Sequence, residues 1–219
     1  MVIRQYAVIG LGRFGTSIAR RLTEAGQEVL GIDVSEERVE EAELFVTHGV
    51  IADATEEKAL TSLGISNFDC VIIAIGDDLQ SSVLTAMLLK DLGVKKIIAK
   101  ALGKRHGKLL DKIGIDWIIY PERDMGERVA NQLLSPNMMN YIELSKEYNI
   151  EEIMIPSTMA EKTLRELDIR AKYNISAIAL LRAGGEIIVS PSPDEIIQKG
   201  DLLVMIGNRD DLATFSSIE

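Results

Sequence analysis

The sequence predicts an α/β protein: a doubly wound parallel sheet followed, after a linking helix, by a small α+β lobe. Three observations predict it. From Tyr6 to about Glu122, short apolar runs alternate with amphipathic helical stretches, the pattern that builds right-handed parallel units. The first apolar run leads directly into Gly10-Leu11-Gly12-Arg13-Phe14-Gly15, a G-x-G-x-x-G loop that opens a helix and marks a Rossmann-like nucleotide fold. The alternation then breaks after Pro121, and a different pattern follows.

The expected strands are Tyr6–Ile9, Glu28–Ile32, Phe45–Ile51, Cys70–Ile75, Lys96–Lys100 and Trp117–Tyr120. Between them the spacing predicts helices near Gly15–Ala25, Glu36–Glu43, Glu56–Leu63, Leu79–Leu92 and Lys104–Ile113. Gly26, Gly64, Gly93 and Gly114 follow four of these helices, where glycine supplies the left-handed turn back into a strand. One further helix is expected over Glu122–Leu134, stopped by Ser135-Pro136-Asn137. Beyond it, Ile150–Ile155 reads as a strand and Met159–Leu167 as a short helix, with Ser157 or Thr158 as its cap. Ile175–Arg182 and Glu186–Ser190 flank Ala183-Gly184-Gly185 and predict a hairpin. Leu202–Ile206 is a last strand and Asp210–Ser217 a closing helix. The domain reading is therefore residues 1–121 as the nucleotide-binding domain, 122–140 as helix and linker, and 141–219 as the α+β lobe.

Composition narrows the function. Hydrophobic residues make up 47% of the 219 and aromatic residues only 5%, so the core is aliphatic, as strands covered by helices require. The net charge of -10 argues against a nucleic-acid partner, which needs a basic face. The lysines and arginine between Lys95 and Lys112 read as a solvated surface. Cys70 is the only cysteine; in an apolar run it reads as a buried strand thiol, and no cysteine metal site can be built from it. The start of the chain, Met1-Val2-Ile3-Arg4-Gln5-Tyr6, has no signal-peptide build, and no apolar run approaches the roughly 20 residues that span a bilayer. A cytoplasmic protein is expected.

The chemistry concentrates at the ends of the predicted strands. Gly10 permits the tight turn, Gly12 lets a phosphate approach the backbone, and Gly15 lets helix and strand pack closely. The free N–H groups and positive end of that helix suit an anion. Arg13 and Phe14 complete the loop, and the Arg13 guanidinium is placed to fork onto phosphate oxygens. Asp33, at the end of the second strand, suits ribose hydroxyls and disfavours a 2′-phosphate. Asp53, Ala54 and Thr55 follow the third strand at the edge that borders an adenine, and Asp53 with Glu56 also matches a capping box. Gly76-Asp77-Asp78 ends the fourth strand at the crevice, where the paired carboxylates could hold a metal or, the favoured reading, Asp77 or Asp78 caps the next helix. Lys100 ends the fifth strand and points either toward a nucleotide or into solvent. No catalytic residues stand out: His48 sits in an apparent strand, His106 in a polar loop, and no Ser–His–Asp or metal logic joins them.

These residues carry a family likeness. Val8-Ile9-Gly10-Leu11-Gly12-Arg13-Phe14-Gly15, Ala52-Asp53-Ala54-Thr55-Glu56, Val71 to Gly76, Tyr120-Pro121-Glu122-Arg123-Asp124-Met125-Gly126, Leu167 to Tyr173 and Pro193 to Val204 together resemble the regulator-of-potassium-conductance (RCK, or KTN) family. Within it, the cytosolic regulatory subunits of bacterial Ktr/Trk-type potassium uptake systems are most similar. The resemblance implies a non-enzymatic subunit, bound to a membrane potassium-transporting protein as a homodimer that assembles into a ring, typically an octamer. It implies that the helix near Glu122–Leu134 crosses over to the partner subunit, and that exchange of ATP for ADP changes the dimer hinge. It implies contact of Arg13 with the terminal phosphates, a divalent cation, Mg²⁺ or Ca²⁺, at Glu122 on the dimer interface, and cyclic di-AMP near Arg170 and Pro191 in the C-terminal lobe. Two other readings share the scaffold: an NAD(H)-binding regulator, and a small NAD-dependent oxidoreductase, which would need a proton donor that the sequence does not offer.

Overall fold

A computed structural model describes residues 3–134 and 137–218. It divides into two compact units, Met1–Asp124 and Met125–Glu219. The start of the chain (Met1 and Val2) and two residues of the expected helix stop (Ser135 and Pro136) lie outside the described residues.

The first unit alternates strand and helix throughout: β1 (Gln5–Ile9), α1 (Arg13–Glu24), β2 (Glu28–Asp33), α2 (Glu36–Ala42), β3 (His48–Ile51), α3 (Glu57–Ser62), β4 (Cys70–Ile73), α4 (Leu79–Asp91), β5 (Ile97–Lys100), α5 (Lys104–Ile113) and β6 (Trp117–Ile119). All six strands are parallel, in the order β3-β2-β1-β4-β5-β6. Alternate side chains of each strand feed the two faces. Ala7, Ile9, Val71, Ile73, Ile97 and Ala99 pack with Leu60 of α3, Leu89 of α4 and Leu110 of α5. Val8, Val29 and Ile72 pack with Ala19 of α1 and with Val39 and Ala42 of α2. Helices cover both faces, which is why the strands read as unbroken apolar runs. Cys70 is one of them, and burial pushes its thiol up. The strand order reverses between β1 and β4, and open sheets of this kind bind ligands at that switch point.

α6 (Pro121–Leu134) carries the chain from the first unit into the second. The second unit follows with β7 (Met138–Glu143), β8 (Tyr148–Met154), α7 (Leu164–Leu167), α8 (Ile169–Tyr173), β9 (Ser176–Leu181), β10 (Ile187–Val189), β11 (Leu202–Asn208) and α9 (Arg209–Ser216). Its sheet is antiparallel, in the order β10-β9-β11-β8-β7. One face packs Ile153, Leu180, Leu203 and Met205 against Leu167, Ile169, Leu212 and Phe215 from the helices. Tyr173 and Phe215 meet edge to face at 5.1 Å. Arg182 ties the loop before β11 to the hairpin by ion pairs with Glu195 and the buried Asp201.

Several sequence expectations need correction. The strand expected over Phe45–Ile51 begins only at His48, because the N–H groups of Phe45 and Val46 still bond to the Ala42 carbonyl and finish α2. The helix expected over Met159–Leu167 is a 3-10 turn at Ser157–Met159 followed by α7. Its cap is neither Ser157 nor Thr158. Thr163 caps α7 in a reciprocal box with Glu166, which satisfies two otherwise orphaned donors. Asp53 and Glu56 form no capping box: the Asp53 carboxylate turns back to Thr55, and α3 starts without a side-chain cap. His106 lies not in a loop but inside α5, 2% exposed, with Nδ1 accepting from the Leu102 N–H at 3.2 Å. β7 and α8 are additional elements.

Candidate functional site

The glycine loop fills the turn between β1 and α1, at the switch point. Gly10 has φ +94°, and a Cβ there would sit 3.0 Å from the backbone of Ala74 and Ile75 at the end of β4; the left-handed turn and the close approach both demand glycine. A Cβ on Gly15 would overlap the Gly10 carbonyl oxygen. A Cβ on Gly12 would meet nothing within 4 Å. The middle glycine therefore faces open space while its two neighbours are packed, as a backbone that receives a ligand requires.

α1 begins at Arg13, two residues earlier than its sequence suggests, so Arg13 and Phe14 form its first turn. No side chain caps this turn and no acidic residue lies in it. The contrast with its neighbours is direct: Ser35 caps α2 and Asp78, not Asp77, caps α4. The start of α1 thus keeps its positive end available for an anion. Arg13 is exposed, and its guanidinium makes no hydrogen bond or ion pair among the described residues.

Asp33 is 5% exposed, and its carboxylate is already at work. Oδ2 accepts from the Leu11 N–H at 2.7 Å and Oδ1 from the Ser35 N–H at 2.9 Å. The residue braces the glycine loop from the end of β2. Arg38 reaches to 3.6 Å of Oδ2, a neighbour that sequence reasoning missed; a cation five residues beyond Asp33 was the available signal. It offsets part of the negative charge that disfavours a 2′-phosphate.

Asp53-Ala54-Thr55 lies beside this brace, where the Ala52 N–H donates to the Asp33 carbonyl. Asp53 Oδ1 holds both the Thr55 N–H and hydroxyl. Ala54 is buried, and its carbonyl accepts from Thr85 of α4 at 3.3 Å. The loop is therefore fixed on both sides of the crevice.

Lys100 is drawn into the site. Only 8% exposed, it places Nζ 2.6 Å from Glu122 Oε1 and 5.9 Å from the centre of the Phe14 ring. A Cβ on Gly76 would lie 3.4 Å from that ammonium, so the missing side chain at the end of β4 leaves room around the charge. The Lys100 hydrogen bond, with a smaller contribution from Arg13, holds the Glu122 carboxyl below the usual carboxylate range. Gly10, Gly12, Arg13, Phe14, Gly15, Asp33, Gly76, Lys100 and Glu122 thus converge on one edge of the sheet, with Asp53–Thr55 beside them. Arg170 stands apart, exposed on α8 in the second unit.

At the start of α1 this edge offers free backbone donors with Arg13 and Lys100 close by, an arrangement suited to phosphate. A divalent cation does not fit the residues of one chain. Glu122 is a single carboxylate already met by an ammonium, and no group of three His, Cys, Asp or Glu side chains converges among the described residues. Hard cations need more oxygens than that. Among the described residues no helix is long and apolar enough to cross a membrane.

Comparison with known proteins identifies the family and the fold. Residues 6–121 match the TrkA-N domain and residues 150–218 the TrkA-C domain. The chain is 48% identical to the Ktr system potassium uptake protein C of Bacillus subtilis (strain 168), over 97% of this chain and 96% of that one. It is 46% identical to the Ktr system potassium uptake protein A of the same organism, over 98% and 96%. Among solved structures, the GsuK RCK domain superposes with a TM-score of 0.55 at 24% identity, over 97% of this chain and 45% of that one.

Proposed function

The chain belongs to the TrkA (RCK) family and is homologous to the Ktr potassium uptake proteins, and from that premise we propose that it is a nucleotide-sensing subunit that regulates a membrane potassium transporter from its cytoplasmic face. The observation that carries this reading is the uncapped start of α1, open at Gly12 and flanked by the unpaired Arg13.

The ligand is ATP or ADP. Its phosphates lie on the first N–H groups of α1, with Arg13 and Lys100 supplying charge. The ribose meets Asp33, and the adenine lies along Asp53, Ala54 and Thr55. ATP and ADP differ by one phosphoryl group, and Arg13 discriminates between them, because a fixed cation gains most where the extra charge sits. A ligand shifts a conformational equilibrium only through different affinity for the two states. Arg13 supplies that difference, and no catalytic step is involved. Asp33 would serve NAD(H) equally well, so the direct comparison of nucleotides is decisive.

The signal passes to a second copy of the chain. α6 buries none of its residues, and Met125, Val129 and Leu133 repeat every four residues along it, 57%, 47% and 77% exposed. Such a stripe suits a partner helix face. The assembly is a homodimer that builds a ring, an octamer, on the transporter. Cyclic di-AMP binding near Arg170 and Pro191 is a second input, through the C-terminal lobe.

Arg13→Ala tests the discriminator. ATP affinity falls by about tenfold or more, the scale of one charge-assisted hydrogen bond, while ADP affinity changes much less. Equal losses for the two nucleotides would remove Arg13 from that role.

A further inference from the structure

We infer that Lys100 is a shared cation whose partner changes with the ligand: in the free chain it pairs with Glu122, and a terminal phosphate on the glycine loop takes it over and releases the carboxylate at the head of α6. This rests on the reading of the glycine loop as a phosphate site.

Three observations and one chemical argument carry it. The Lys100 side chain is almost wholly buried at the end of β5, yet Glu122 accepts only one of the three protons of its ammonium, and no other described residue takes the remaining two. An ammonium on a buried stem with spare donors can take a further acceptor. A side chain at position 76 would touch the ammonium, but position 76 is glycine, and Phe14, whose ring centre lies 5.9 Å from the ammonium, belongs to the first turn of α1. The two partners are also unequal: the Glu122 side chain is 70% exposed and that of Lys100 10%. The carboxylate can return to water at little cost, whereas the Lys100 side chain has little access to it. Finally, the competing ligand is the stronger anion, since a terminal phosphate carries up to two charges against one and offers three oxygens.

The consequence lies in where Glu122 sits. It occupies the first turn of α6, the helix that leads out of the nucleotide unit. Ion-pair exchange at Lys100 therefore converts phosphate occupancy into a change of charge at the head of that helix. Glu122 acts here as an internal stand-in for the phosphate.

The test is a double-mutant cycle on the full chain, read by calorimetric titration of ATP and ADP in buffer with excess chelator and no divalent cation. Glu122→Gln removes the competitor and tightens ATP by about threefold, the scale of an ion pair with one exposed member. Lys100→Met weakens ATP by about tenfold or more. The diagnostic result is the combination: with Met at position 100, Glu122→Gln no longer tightens binding. If Glu122 merely repelled phosphate, the tightening would persist or grow in that background, and either outcome would overturn the exchange. A loss of affinity in Glu122→Gln alone would overturn it too. Wild-type protein that bound neither nucleotide would instead overturn the phosphate-site reading beneath it. A second measurement needs no variant: carbodiimide labelling of wild-type protein, read by mass spectrometry, modifies Glu122 faster once ATP is bound. Unchanged or slower labelling contradicts the release.

Discussion

Gly12 and Gly15 stand three residues apart and do opposite work. The Cβ of Gly15→Ala would collide with the Gly10 carbonyl, an overpacking at backbone that costs about 3 kcal/mol or more and lowers the melting temperature of the first unit. Gly12→Ala meets open space at a φ of -71° that alanine tolerates. That variant melts within about 4 °C of wild type but loses nucleotide affinity by about tenfold, the scale of one backbone hydrogen bond to a charged group. If both variants melt and bind alike, the division of labour within the loop is wrong. His106 makes a second prediction at this scale. Burial pulls its imidazole below the usual histidine range, and protonation would also destroy the Nδ1 acceptor that holds the Leu102 N–H. The folded state therefore favours neutral His106: its stability is full above about pH 6.5 and is lost as pH falls through that value toward the lower folded one. Thermal melts between pH 8 and pH 5 should fall more steeply for wild type than for His106→Asn, whose amide oxygen accepts the same bond without titrating. Parallel slopes would contradict this.

At the scale of elements, most of the first unit was legible because its central strands β1, β2, β4 and β5 are largely buried and helices such as α1 and α5 are amphipathic, whereas the edge strand β3 has no buried residue and its start was misplaced. The site was legible for the same reason: every residue proposed for it stands at the end of a strand or the start of a helix. The second unit was harder to read. β7 runs Met138-Met139-Asn140-Tyr141-Ile142-Glu143 as an edge strand with a register shift, and that sequence lacks clean alternation. α7 and α8 are separated by Asp168 in the left-handed region, φ +46°, a break with no glycine or proline to announce it. The Lys100–Glu122 pair joins residues 22 apart, and no local pattern predicts it. The α7 cap is directly testable. Thr163→Ala removes half of the capping box and costs about 1 kcal/mol, or about 4–8 °C in the melting of the second unit; Thr163→Ser should keep most of it. An unchanged midpoint for the alanine variant would mean that the loop around Thr163 holds itself.

For the whole molecule, two units of different sheet type are joined by one helix that buries nothing within a single chain. Such a helix is stable in company, and a second copy of the chain is the proposed company. Val129→Glu with Leu133→Glu should lower the mass measured by light scattering toward that of the 24.1 kDa monomer, while each unit retains its fold by circular dichroism. An unchanged mass would place the interface elsewhere.

The glycine loop is proposed to read adenine nucleotides and to distinguish them by their phosphates. Calorimetric titration of the purified full chain with ATP, ADP and NADH tests it most directly. ATP and ADP should both bind, with different affinities, and NADH should bind more weakly than either. Tight NADH binding with no heat from ATP would contradict it.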